Sequence, residues 1–188
     1  MSKMSTTAFP RAIRFGCHDT RQNLPRISSA KRGEANFLRQ FERAYFADLR
    51  NATAYNARGR EFSLEGFGRA DVLWLAWKKG EDFSALSLHR KVQITAIEAK
   101  LKDWRKGLMQ ASRYRYFANR AILVLPPQAA SVAIRYLETF KKLGVGLWEF
   151  NPKSETIVRH TTPQKRRPFS VLAHDKAVKM ITHQLKFG

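Results

Sequence analysis

Three residues near the middle of the chain have the types and spacing to do chemistry together. They are Asp71 in GRADVLWLAW, and Glu98 with Lys100 at the end of KVQITAIEAK. Strand side chains alternate faces, so Glu98 and Lys100 share a face while Ala99 points opposite. Asp71 has the apolar neighbours Ala70, Val72, Leu73 and Trp74. A carboxylate that stays charged, dry and unpaired there costs on the order of several kcal/mol. On adjacent strands, Asp71 and Glu98 would face each other with Lys100 beside them. Two close carboxylates repel, and one pKa rises unless a cation intervenes. A divalent metal removes the conflict. Two carboxylates, a backbone carbonyl and waters form a hard oxygen set suited to Mg²⁺ or Mn²⁺. Such an ion lowers the pKa of a coordinated water and neutralises charge building on a phosphate. Lys100 would orient that water or stabilise the pentavalent phosphorane. The chemistry implied is metal-assisted phosphodiester hydrolysis, with Asp71 and Glu98 as ligands.

The bulk properties name the same kind of partner. The 188 residues carry 35 Lys and Arg against 15 Asp and Glu, a net charge of +20. That excess costs self-repulsion unless a polyanion relieves it, so nucleic acid is the leading partner, and the charge permits DNA and RNA equally. Twelve of the acids lie within residues 34–150, which confines any acidic site to that stretch. The hydrophobic fraction of 44% suits a folded domain rather than a disordered chain. No apolar run approaches the roughly 20 residues of a membrane span, and MSKMSTTAFPRAIRFG lacks the apolar segment of a secretory signal. A single cysteine, Cys17, excludes an internal disulfide and a Cys-rich zinc site, so a reducing, cytoplasmic setting is expected.

Several elements must position the three residues. Residues 1–32 read as an irregular basic arm, 33–160 as the folded domain, and 161–188 as a basic loop with a short helix. The spacing of Phe37, Phe41 and Ala44 or Tyr45 predicts a helix over 33–50, followed by a loop over 51–60. Residues 61–77 read as two strands around Gly66 and Gly68, and 78–90 as a connection leading into the strand that ends at Glu98. A helix over 103–120 follows, N-capped by Asp103. Then come a strand over 121–127, a helix over 128–144 closed by Gly144, and two strands turning at Asn151–Pro152. Val178, Ile181 and Leu185 mark a last amphipathic helix. Such an order implies an α/β fold, a mixed sheet covered by helices on both faces.

Asp71 on one strand, Glu98-Ala99-Lys100 on the next, and the α-β-β-β-α-β order resemble the PD-(D/E)XK nuclease superfamily, with its restriction-endonuclease-like core. The proline that often precedes the family's Asp is replaced by Ala70. Gln110 and Tyr114, in QASRY, are similar to the Gln-x-x-x-Tyr motif of the branches related to recombination and viral exonucleases. The resemblance spans about residues 33–150. It implies a metal-dependent nuclease with Asp71, Glu98, Lys100, Gln110 and Tyr114 in the catalytic set. It also implies a third acidic ligand from the first helix, where Glu34 is preferred over Glu42.

Candidate phosphate contacts are Arg32, Arg69, Lys102, Arg105, Arg113, Lys165, Arg166 and Arg167. Arg105, Lys106, Arg113 and Arg120 would share a helical face with Tyr116. His89, His160, His174 and His183 have no metal-like spacing, Cys17 has no base partner, and Trp74, Trp77 and Trp148 read as core. A DNA endonuclease of restriction-like, junction-resolving or defence type leads. A non-catalytic nucleic-acid-binding subunit on the same fold and an RNA-directed nuclease are the alternatives. Cutting both strands of a duplex with one site per chain would call for a homodimer or a larger complex.

Overall fold

The structure is a computed structural model and describes residues 11–14, 29–48, 55–77 and 92–187. Cys17, His89 and the 78–90 connection lie outside the described residues, as do the side chains of His183 and Leu185. The elements in chain order are β1 (Arg11–Arg14), α1 (Ser29–Asp48), β2 (Tyr55–Leu64), β3 (Gly68–Trp77), β4 (Gln93–Ala99) and α2 (Trp104–Tyr114). After them come β5 (Arg120–Leu125), α3 (Pro127–Ala133), α4 (Leu137–Leu143), β6 (Val145–Asn151), β7 (Thr156–Thr161) and α5 (Val171–Phe187).

The seven strands among the described residues form one mixed sheet in sequence order. β2, β3 and β4 pair antiparallel, β4, β5 and β6 parallel, and β7 returns antiparallel to β6. Helices cover both faces, as the alternation of elements implies. On one face Leu73, Leu75, Ile94, Ala96, Leu123 and Leu147 pack under Leu108, Ala111 and Tyr114 of α2, with Ala177, Val178 and Ile181 of α5. On the other, Val72, Trp74, Ile97, Ile122, Val124, Trp148 and Phe150 meet the stripe Phe37, Phe41 and Tyr45 of α1. Buried on both faces, β5 is a continuous apolar run, as a central parallel strand must be. Each of the large side chains buried in these layers contributes roughly 1.5–3 kcal/mol by transfer from water.

Several element boundaries differ from the expectation. The first helix begins at Ser29, and its turns run through the boundary expected between arm and domain. Within that arm, β1 adds to the sheet edge, parallel to β2. The stretch expected as a loop to residue 60 is strand from Tyr55. α2 stops at Tyr114, so Tyr116 and Arg120 do not extend its basic face. The helix expected over 128–144 is broken by a 3₁₀ turn at Ile134–Tyr136. The C-terminal helix is part of the core rather than an appendage. Capping matches the sequence: Asp103 accepts from the Lys106 backbone N–H at 3.1 Å, and Gly144 takes a left-handed φ of 66°. Among the described residues no helix is long and apolar enough to cross a membrane.

Candidate functional site

The site forms where the β3–β4 ladder runs out. The register pairs Val72 with Ile97, and one further step sets Asp71 opposite Glu98. There the Asp71 side chain replaces a backbone acceptor: Ala99 N–H donates to its Oδ2 at 2.8 Å. Strand parity turns Asp71, Glu98 and Lys100 toward α2, on the face of Leu73 and Ala96. On the other side of Asp71 the β2–β3 ladder also breaks. Arg60 pairs with Val72 and Phe62 with Ala70, but Glu61 between them takes a φ of 54°. A non-glycine residue held in that region stores strain of roughly 1–3 kcal/mol, and such outliers gather at functional sites. No composition or periodicity signal marks Glu61.

Glu98 is only 1% exposed, and both its oxygens are engaged. Lys100 Nζ donates to Oε1 at 2.6 Å. The Tyr114 hydroxyl meets Oε2 at 2.5 Å and the Arg69 carbonyl at 2.6 Å. A phenol carries one proton, so it cannot donate to both acceptors. The pair closes if Glu98 is protonated and donates to the hydroxyl, which then donates to Arg69. The electrostatics agree. Burial, then the Asp71 charge, push the Glu98 carboxyl up to about 7. Burial also raises Asp71, against the Ala99 N–H and the Lys100 charge. Burial depresses the Lys100 ammonium, but Glu98, Asp71 and Glu34 outweigh it and hold it above its ordinary value. The Tyr114 phenol is pushed far up by burial and by Glu98.

α2 closes the site from above. Gly107 sits where a Cβ would come within 2.6 Å of Leu123 and 2.9 Å of Lys100 Cγ, so only glycine lets the lysine stem lie beneath the helix. One turn on is Gln110, and one turn beyond that Tyr114, on the same side of the helix. The Gln110 side-chain oxygen is buried, and among the described residues no donor reaches it. An orphaned buried amide oxygen costs roughly 1–3 kcal/mol. It lies on α2 between Gly107, which abuts Lys100, and Tyr114, which meets Glu98.

The first-helix acids separate cleanly. Glu34 adds negative potential at both Asp71 and Lys100. Its neighbour Gly33 abuts Leu101, just past the strand end. Glu42 is buried and paired with the Arg60 guanidinium, so it stabilises the packing of α1 and stands outside the site. Asp71 and Glu98 are hard oxygen donors, a pair that fits Mg²⁺ or Mn²⁺ bound through one or two carboxylates. Among the described residues no three His, Cys, Asp or Glu side chains gather as a metal cluster by themselves.

Tyr114 is buried to 1% and bonded to Glu98 and the Arg69 carbonyl, so its hydroxyl positions a carboxylate. The basic stretch Lys165–Arg167 packs at the opposite end of β4 from Glu98. Arg166 N–H donates to the Asn119 carbonyl at 3.0 Å, and Asn119 is itself bonded to Ile94 at the start of β4. Four strand residues, about 13 Å, separate Ile94 from Glu98. Of the remaining cations, Arg69 is exposed and lowers the pKa of Asp71, which places it at the mouth of the site. Arg32, Lys102 and Arg113 are exposed. Arg105 instead stacks on Trp104 and Tyr136, at 4.5 and 5.3 Å. His160 pairs with Glu149 at 3.0 Å, and His174 Nδ1 lies 2.7 Å from the Phe117 carbonyl, so both are structural. Compared with protein-family models and with curated proteins, the chain matches none.

Proposed function

We propose that the protein is a metal-dependent nuclease on a restriction-endonuclease-like core, hydrolysing phosphodiester bonds in DNA. The observation that carries the reading is the junction at the end of the β3–β4 ladder. There Asp71, Glu98 and Lys100 converge on one face, beneath a helix that supplies an unpaired Gln110 oxygen. A structural ion pair would need neither two adjacent carboxylates nor the orphaned amide.

A bound Mg²⁺ or Mn²⁺ would supply Lewis-acid activation of water and neutralise charge on the scissile phosphate. Asp71 and Glu98 would hold it, with Glu34 adding negative potential. Asp71 is oriented by the Ala99 N–H and cannot swing away without losing that bond. Lys100 presents a cation at the site, donating to Glu98 in the resting state and free to donate to a phosphate oxygen once Glu98 turns to another partner. Gln110 can accept from a water or donate to a phosphate oxygen. Arg69, beside the site, and the +20 net charge draw the polyanion in.

The test is cleavage of linear duplex, branched and single-stranded DNA and of RNA, each with Mg²⁺ and with EDTA. Mg²⁺-dependent cleavage by the wild type, lost in Asp71→Asn while the variant stays folded, is the expected result. Full activity in Asp71→Asn would remove this site from the reaction.

A further inference from the structure

A second surface, just past the C-terminal end of α2, lies outside the carboxylate site. Three aromatic rings form a row across it. Phe67, in the turn between β2 and β3, is 5.2 Å from Tyr116, and Tyr116 is 5.6 Å from Phe169. Tyr116 is 44% and Phe169 64% exposed, far more than packing alone would leave for such rings. The row starts two residues from Arg69, whose carbonyl holds Tyr114 against Glu98. It ends on the Arg115 guanidinium, 5.1 Å over the Phe169 ring.

Arg115 and Phe169 also line a cleft of about 340 Å³ with Lys141, Lys142 and Arg166, and no acid lines it. Among the described residues, Arg115, Lys142 and Arg166 form no ion pair. Burial, and then the neighbouring Arg166 charge, hold the Arg115 guanidinium below its ordinary value. Arg115 already donates to the Ala118 and Arg167 carbonyls, whereas Lys142 and Arg166 beside it have no carboxylate partner among the described residues, and such a cluster of cations is relieved by a bound anion.

We infer that the Phe67–Tyr116–Phe169 row and the Arg115–Lys142–Arg166 cleft form a track for an unpaired nucleic-acid strand leading to the carboxylate site, with bases against the rings and a backbone phosphate in the cleft. Exposed rings beside a basic groove are the features that bind single strands, because every base offers a π face. A duplex hides those faces, so the track selects for substrate with a single-stranded segment. An acidic peptide would meet the cleft but gain little from the rings. The inference rests on the nuclease reading only for where the strand leads, not for the binding itself.

The test is fluorescence anisotropy with a labelled oligo-dT strand in EDTA, where no cleavage occurs. Phe169→Ala should weaken oligo-dT binding by roughly fivefold to a hundredfold, the range for one stacked base, and leave binding of a blunt duplex unchanged. Phe169→Trp should restore it. Lys142→Ala with Arg166→Ala should flatten the slope of log K against log salt by about 1.4. Wild-type oligo-dT affinity in Phe169→Ala, an unchanged slope in the double variant, or equal competition by polyglutamate would each overturn the track. Loss of cleavage in Asp71→Asn alongside normal oligo-dT binding by Phe169→Ala would fell the track and leave the nuclease reading standing. The reverse pattern would spare the track and fell the nuclease reading.

Discussion

The Tyr114 hydroxyl lies 2.5 Å from Glu98 Oε2, at the bottom of the site and out of reach of solvent. This contact links α2 to the end of β4, and through the Arg69 carbonyl to the start of β3. One phenol thus fixes the relative position of the two strands that carry the carboxylates. It does so from inside the core, which is why its neighbours are Phe62 and Phe117 rather than water.

Removing that hydroxyl should therefore cost both stability and activity. In Tyr114→Phe the buried Arg69 carbonyl and a Glu98 oxygen lose their partner, a destabilisation of about 1–3 kcal/mol. When Glu98 ionises, the hydroxyl turns its single proton from the Arg69 carbonyl to Oε2; that donation lowers the Glu98 pKa, so the variant's carboxyl should titrate higher. Chemical denaturation and a pH–rate profile would check both, the profile moving to higher pH. An unshifted profile with unchanged stability would show that the hydroxyl is idle.

The pH dependence of stability has a definite sign. Glu98 is raised from an ordinary 4.5 to about 7, so its contribution is fully present below pH 4.5 and is lost as pH rises through 7. The loss is about 3 kcal/mol for so buried a group. Metal needs the ionised carboxylate, so stabilisation by Mg²⁺ should grow over the same interval. Thermal melts from pH 5 to 8, with Mg²⁺ and with EDTA, should diverge as pH rises. In Glu98→Gln the divergence should shrink. Parallel melts across the range would count against a metal at Glu98.

Gly107→Ala is a test of geometry without a change of charge. The added methyl meets Leu123 and the Lys100 stem inside van der Waals distance. Overpacking of this kind costs about 1–3 kcal/mol. Displacing the ammonium should lower cleavage by more than the stability loss explains, with nucleic-acid affinity unchanged. Cleavage measured per folded molecule, at a temperature well below the melt, separates the two effects.

Gln110→Ala should behave in the opposite way. Its oxygen has no partner among the described residues, so truncation removes an unsatisfied buried group and stability should hold or rise. Cleavage should fall if the amide serves substrate or water. A drop in melting temperature at full activity would make Gln110 an ordinary packing residue.

Much of this was legible in the residues themselves, because the signals are local. Apolar alternation identifies β3 and β4, and strand parity alone sets Glu98 and Lys100 on one face. Asp103 and Gly144 mark helix ends through their own side-chain and backbone preferences. The continuous run Ala121–Leu125 declares a strand buried on both sides. What needed the tertiary structure depends on contacts between residues far apart in the chain. Glu34 and Glu42 look alike in sequence, and only the approach of Arg60 removes one of them from the site. The Gln-x-x-x-Tyr resemblance singles out Tyr114, but only packing shows that its hydroxyl sits on a carboxylate 16 positions away. The Lys165–Arg167 loop reads as a free basic tail, yet Asn119 anchors it at the far end of β4, where aromatic rings continue toward Arg69. Periodicity reports which way a side chain points. It carries no information about what it meets there, because burial and Coulomb terms are set by the partner, and the partner is chosen by the fold.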